Sequence, residues 1–322
     1  MPNISGPGAI MSVSKLAGAL VLFASAIPAT AATLVDYSLI SLGNFTDAGG
    51  SSYGTRIAVA GNAAINSTAI GTRLAADSNN SDVVVVGANI TYDNATLRHG
   101  NVVYGGTNGS GRYTQAQTPG GSFAQGGSLD FAAIGTGLLD LSSAYGALAA
   151  TGSFTNLYGS GTLSGATTVG TDVFTLTTAE LGSLHALRLV GTAGSTAIIN
   201  VIGSSFGSYL GFDRGNYAVA DVTFNFLDAQ TLGFGGIDLG ASLLAPLATL
   251  TQNGGIIRGS AAVGNFFGAG ASIVGGGSFA ILDPVSDGAG STVPEPASWF
   301  MLVAGFGIVG VAQRRRWRSV AA

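Results

Sequence analysis

The sequence predicts a mainly β fold: a solenoid of short stacked strands with one long helix packed alongside, lying between an apolar segment at each end of the chain. Three observations predict it. The runs TRIAVAGNAAI, DVVVVGANITY and GNVVYGG are β-branched, are punctuated by Gly-Asn, Gly-Ala-Asn or Gly-Gly, and recur at roughly 18 to 26 residues, the spacing of solenoid coils. A single stretch, SLDFAAIGTGLLDLSSAYGALAA, has apolar residues at three- and four-residue spacings. Both termini are apolar runs with basic flanks, as in segments that address a chain to a membrane.

The first element is the leader. From Met11 the chain reads MSVSKLAGALVLFASAIPATAA, with Lys15 as a basic start, Leu16 to Ile27 as an apolar core and Ala29-Thr30-Ala31 as a small-x-small cleavage site. Residues 1–32 therefore read as a secretory signal peptide that begins at Met11. A buried core helix is the competing reading, and the position, length and flanks all argue against it.

The body, residues 33–285, is rich in glycine and poor in charge. The chain has 52 glycines, 47% hydrophobic and only 9% charged residues. Lysine is absent after Lys15, and between Thr33 and Val293 seven arginines face fifteen carboxylates, a net charge of about −8. A body of this sign has no basic footprint for nucleic acid, so none is expected as a partner. The chain has no cysteine, which excludes disulfides, thiol catalysis and cysteine-ligated zinc.

Small residues would form the coil corners. Asn62, Asn89 and Asn101 are the corner candidates, because asparagine tolerates left-handed backbone; hairpin turns of a sandwich are the alternative. The helix is expected over about 129–150 with Ser128 as its cap, its apolar face formed by Phe131, Ile134, Leu138, Leu141, Tyr145 and Leu148. Strands then resume with DVFTLTT, LHALRLVG, TAIINVIG, YAVADVTFNF, TLGFGGIDL and SLLAPLATL.

The last element begins in a linker, residues 286–296, that ends in Val293-Pro294-Glu295-Pro296. The two prolines fix an extended segment that closes the preceding fold. Residues 297–322 follow: an apolar run of about 17 residues, roughly 25 Å as a helix, which is at the short end of what spans a hydrocarbon core. Trp299 and Trp317 flank it, and Arg314, Arg315, Arg316 and Arg318 would hold its end in the cytoplasm with the body across the membrane.

Reactive chemistry has few residues to draw on. Ser52 and Ser205 each sit in a GxSxG string, but no helix pattern follows either one, as a nucleophile elbow requires. Gly305 to Gly310 spells a dinucleotide fingerprint inside the apolar tail, where no βαβ unit forms. His99 and His185 are single histidines far apart. Asp77-Ser78-Asn79-Asn80-Ser81-Asp82 alternates oxygen donors as calcium loops do, but lacks the central glycine and late glutamate of that pattern, and reads as a solvated turn. Asp213, Asp221, Asp228 and Asp238 are the carboxylates available to a polysaccharide-cleaving enzyme. No catalytic residue, metal or cofactor is expected.

Two resemblances follow from these residues. Signal, Val-Pro-Glu-Pro, apolar helix and terminal arginines resemble the PEP-CTERM class of exported proteins. That resemblance implies recognition by an exosortase in the inner membrane of a Gram-negative bacterium, removal of the tail near Pro294 to Pro296, and delivery to the cell surface or its exopolymer. A plain stop-transfer anchor is the alternative. The body resembles the choice-of-anchor A family, an ice-binding-like adhesive domain. The matching stretches are YSLISLGNF from Tyr37, YGTRIAVAGNAAI from Tyr53, VVVVGANI from Val83, HGNVVYGG from His99, LDFAAIGTGLLDLSSAYGALA from Leu129, AIINVIG from Ala197, FNFLDAQTLGF from Phe224 and GASLLAPLATL from Gly240. Ala60 and Leu247 depart from the family pattern. This resemblance implies a right-handed solenoid carrying one helix, on proteins attached to surfaces by differing tails.

Together these give an exported, non-enzymatic protein of a surface or biofilm matrix. Its expected partners are the Sec export machinery, the exosortase, the inner membrane before processing, and an extracellular polysaccharide or other surface. Two alternatives stand beside it. An ice-binding protein would need outward Thr-x-Thr ladders, for which Thr175/Thr177 and Thr249/Thr251 are the available triplets. A polysaccharide-active enzyme would need facing carboxylates.

Overall fold

The structure is a computed structural model, and the residues described are 37–75, 81–111, 121–126 and 129–276. The terminal segments, with Ala29, Ala31, the Val293 to Pro296 motif and the four arginines, lie outside them, as does Asp77 to Asn80. Among the described residues no helix is long and apolar enough to cross a membrane.

Six central coils turn through three faces, so the solenoid-like body has three parallel faces, and the coils at its ends reach fewer of them. Face 1 runs, in spatial order, through Phe123–Gln125, Asn101–Tyr104, Asp82–Val86, Arg56–Val59, Tyr37–Ser41, Ala261–Ala269, Ser242–Asn253, Val222–Phe226, Thr196–Ile202 and Thr171–Thr177. Face 2 runs through Ile90–Asp93, Ala63–Asn66, Phe45–Asp47, the later parts of Ala261–Ala269 and Ser242–Asn253, then Thr231–Gly235 and Ser205–Ser208. Face 3 is a row of two-residue strands: Thr96–Leu97, Ala69–Ile70, Ser52–Tyr53, Ser272–Ile273, Ile256–Ile257 and Asp238–Leu239.

The coil order is not the chain order. The amino-terminal strand Tyr37–Ser41 lies mid-wall, with Arg56–Val59 on one side and Ala261–Ala269 on the other. From there the chain coils outward, crosses to the far end, and coils back until its last turn pairs with its first. The helix Phe131–Gly146, α1, carries the crossing; at about 24 Å it is as long as five strand spacings. It is shorter than the 129–150 predicted, and its cap is Asp130, whose carboxylate accepts from the Ala133 amide at 2.9 Å. Ser128, the predicted cap, lies outside the described residues.

This arrangement buries the middle of face 1 on both sides. Its inner rows join the solenoid core with Leu39, Ile57, Val84, Val102, Ile199 and Leu243, and its outer row, Val85, Ala58, Ile40, Ala262 and Leu244, lies in register in the stretch of wall that α1 covers. Leu138 and Tyr145 of α1 pack there. Near-continuous apolar strands such as DVVVV follow from this double burial.

Where the outer row turns polar, the helix answers it. Asn200 and Asn225 are in register, and Asn225 Nδ2 donates to Asn200 Oδ1 at 2.8 Å and to the Ser142 carbonyl at 2.9 Å. Ser142 Oγ bonds Asn225 Oδ1 at 2.7 Å, and Asn200 Nδ2 donates to the Tyr145 carbonyl at 2.7 Å. All four residues are buried, so this network fixes where the helix sits along the wall.

Two buried carboxylates are held by tyrosines. Asp47 accepts from Tyr53 at 2.8 Å, from Ser51 at 2.9 Å and from the Gly49 amide at 2.9 Å. Asp172 accepts from Tyr217 at 2.5 Å and from the Ala166 amide at 2.6 Å. Burial, and after it the neighbouring carboxylate, pushes both hydroxyls well above the usual tyrosine range, so both tyrosines remain neutral donors.

Glycine is required where coils touch. A Cβ on Gly100, at φ +83°, would lie 2.3 Å from Val83 Cγ2 and 2.5 Å from the Ser81 carbonyl oxygen.

Candidate contact face

Strand alternation builds face 2. The row Ile90, Ala63, Phe45, Phe266, Leu250, Leu232 and Phe206 points into the core and is buried. The next residue of each strand faces out, giving the row Thr91, Ala64, Thr46, Phe267, Thr251, Gly233 and Gly207. A second outer row contains Asp93, Asn66, Ala269, Asn253 and Gly235. Asp93 is the one charged residue in these two rows, and its Oδ1 accepts the Gly111 amide at 2.6 Å. Seven strands give the face a width of about 29 Å.

A ladder of corner side chains borders it. Asn265 Nδ2 reaches Thr249 Oγ1 at 3.4 Å, the Asn44 amide donates to Asn265 Oδ1 at 2.8 Å, and the Asn62 amide donates to Asn44 Oδ1 at 3.0 Å. The Asn89 amide then donates to Asn62 Oδ1 at 3.2 Å, and the Thr107 amide to Asn89 Oδ1 at 2.8 Å. The ladder crosses the junction of the two halves without a break. Asn62 and Asn89 thus do make corners, but for a different reason from the one predicted, whereas Asn101 opens the strand Asn101–Tyr104. Left-handed backbone among the described non-glycine residues occurs at Ser67, Asn94 and Tyr158; the predicted asparagines instead satisfy the amide of the neighbouring coil.

Two shallow troughs cut the face. One, of about 320 Å³, is lined by Asn44, Thr46, Asn62, Ala64, Asn89 and Thr91. The other, of about 310 Å³, is lined by Gly207, Tyr209, Gly233, Gly235, Thr251 and Asn253. Neither has a lysine, arginine, histidine, aspartate or glutamate in its lining. Tyr209, which carried no signal in the sequence, is 85% exposed beside the second trough.

The predicted chemistry is scattered. Ser52 and Ser205 each open a strand, so neither forms an elbow. His185 lies against the hairpin turn at Gly159, its Nε2 3.4 Å from Ser160 Oγ. Asp238 is clasped by Arg258 at 2.7 and 2.6 Å, Asp213 lies 3.5 Å from Arg188, Asp228 accepts the Gly203 amide at 2.6 Å, and Asp221 closes the short turn Val219–Asp221. Among the described residues no three His, Cys, Asp or Glu side chains group as metal ligands. Thr249 and Thr251 lie on face 2, whereas Thr177 caps the short helix Thr178–Gly182, α2, through a capping box with Glu180.

The chain enters and leaves this body at one place. A Cβ on Gly275 would lie 2.5 Å from Ser38 Oγ, so the last described residues run against the first strand, at the corner between faces 3 and 1. In a three-faced body that corner lies opposite face 2.

A family model described as "Putative Ice-binding-like adhesive domain" matches residues 30–273. The chain belongs to this family. A second model, described as "PEP-CTERM protein-sorting motif", matches residues 292–316. No curated protein and no solved structure gives a match. The ice-binding-like adhesive domain thus covers every described strand of the solenoid-like body, and the sorting motif follows after residues 274–291. With these matches the chain reads as an exported, surface-sorted protein.

Proposed function

We propose that this chain is a non-enzymatic adhesive wall of the cell surface or its exopolymer, presented by an exosortase-processed tail and making contact through face 2. The observation that carries this reading is the outer side of face 2, which no helix among the described residues covers. The middle of face 1 has its outer side closed by α1, whereas face 2 offers a flat, nearly uncharged field of Thr, Asn, Ala and Gly. A field of that kind binds by many weak hydrogen bonds and excluded water, with no reactive group.

In this reading residues 1–32 direct Sec export, and residues 297–322 hold a precursor in the inner membrane with Arg314, Arg315, Arg316 and Arg318 inside. Cleavage near Val293 to Pro296 then delivers the body to the surface, as the PEP-CTERM resemblance implies, and the resemblance to choice-of-anchor A proteins implies right-handed coils. Entry and exit at the corner opposite face 2 turn that face away from the tether.

Fractionation of the native host, followed by mass spectrometry of the mature carboxyl end, tests this. A chain ending between Val293 and Pro296 in the outer-surface fraction is expected. An intact arginine-rich end in the inner membrane would replace sorting by a permanent anchor.

A further inference from the structure

We propose that the trough beside Tyr209 is a subsite for a ring of an uncharged polysaccharide. This rests on the reading of face 2 as the contact face.

The trough has a built floor and a wall. Gly207, Gly233 and Gly235 occupy outward positions on adjacent strands, so backbone takes the place of side chains there. A Cβ on Gly233 would meet only the Gly207 Cα, at 3.8 Å, which leaves the floor open to an incoming ring. Tyr209 lies at the side, and a Cβ on Gly235 would come within 2.5 Å of its Cε1 and 2.9 Å of its Cζ. The aromatic ring thus rests on the Gly235 backbone while 85% of the residue stays exposed. An aromatic held in place yet open to solvent is a platform for the C–H face of a sugar. Thr251 and Asn253 on the next strand supply a hydroxyl and an amide for the ring's hydroxyls.

The ligand class follows from charge. The lining has no cation to neutralise a uronate or sulfate and no carboxylate to attract an amine, and the body is strongly acidic. The Asn44–Asn62–Asn89 trough, across the same face, is equally uncharged. A polymer lying across the strands would meet both, anchored on Tyr209.

The test is affinity electrophoresis of the full chain in mild detergent, through gels cast with hydroxyethylcellulose or with polygalacturonate. The wild type is expected to be retarded by the uncharged polymer and not by the anionic one. Tyr209→Ala should weaken that retardation about tenfold, Tyr209→Phe should preserve it, and all variants should share one melting temperature. Thr46→Glu, on the other half of the face, separates the two readings. Loss in Thr46→Glu with no change in Tyr209→Ala overturns the subsite and keeps the contact face. No change in either overturns both. A wild type that ignores hydroxyethylcellulose, or that binds polygalacturonate better, also overturns the proposal.

Discussion

Phe266→Ala is expected to lower the unfolding free energy by about 3–5 kcal/mol, whereas Phe267→Ala, one residue further on, should cost less than about 1 kcal/mol. The two differ only in the side of face 2 to which strand alternation assigns them. Phe266 is 2% exposed and stacks on Phe45 at 5.4 Å with an interplanar angle of 11°, while Tyr53 meets it edge-on at 6.1 Å. These three rings come from the last coil and the first, so together they seal the junction of the two halves. Truncation leaves a void that backbone ladders on both sides prevent from collapsing. Phe267 is 39% exposed and faces solvent. Urea unfolding followed by circular dichroism gives both values. Equal losses would mean that the register of Ala261–Ala269 is wrong.

Asn225→Leu is expected to cost about 2–5 kcal/mol, because it leaves Ser142 Oγ and Asn200 Oδ1 buried without the partners they have now. Undocking of α1 should precede global unfolding in this variant, so amide exchange in 131–146 should rise before exchange in the solenoid strands does. The triple variant Ser142→Ala, Asn200→Leu, Asn225→Leu removes donors and acceptors together and should recover more than half of the loss. If the single change is silent, the helix is held by its apolar side chains alone.

Much of this fold was legible in the sequence. β-Branched runs closed by glycine and asparagine located the coils of face 1, and the three- and four-residue spacing from Phe131 to Tyr145 located α1. The order of the coils was not legible. Pairing of Leu39 with Ala261 joins residues over two hundred positions apart, and neither strand carries a local mark of its partner. The antiparallel hairpin of Ser153–Leu157 with Ser160–Ser164 was also missed. Its turn is Tyr158-Gly159, where a tyrosine at φ 51° takes the place that asparagine usually marks. Corner asparagines were found for the wrong reason, since a side chain that reaches along the solenoid axis and one that relieves a left-handed backbone look alike in a string of letters. Tyr209 went unnoticed because exposure of a lone aromatic depends on what surrounds it, and here the surroundings are Gly207, just before it in the chain, and Gly233 and Gly235 of the neighbouring strand.

The central claim is that the uncovered face, and no other surface, makes contact with what the protein adheres to. Its most direct measurement is retention on the extracellular matrix isolated from the native host, for two variants of equal added charge. Thr46→Glu with Thr251→Glu alters face 2, and Ala132→Glu with Ala144→Glu alters the exposed side of α1. The account predicts that the first pair loses at least tenfold in retention while the second is held as firmly as wild type. Equal retention of both, or loss confined to the α1 pair, would contradict it.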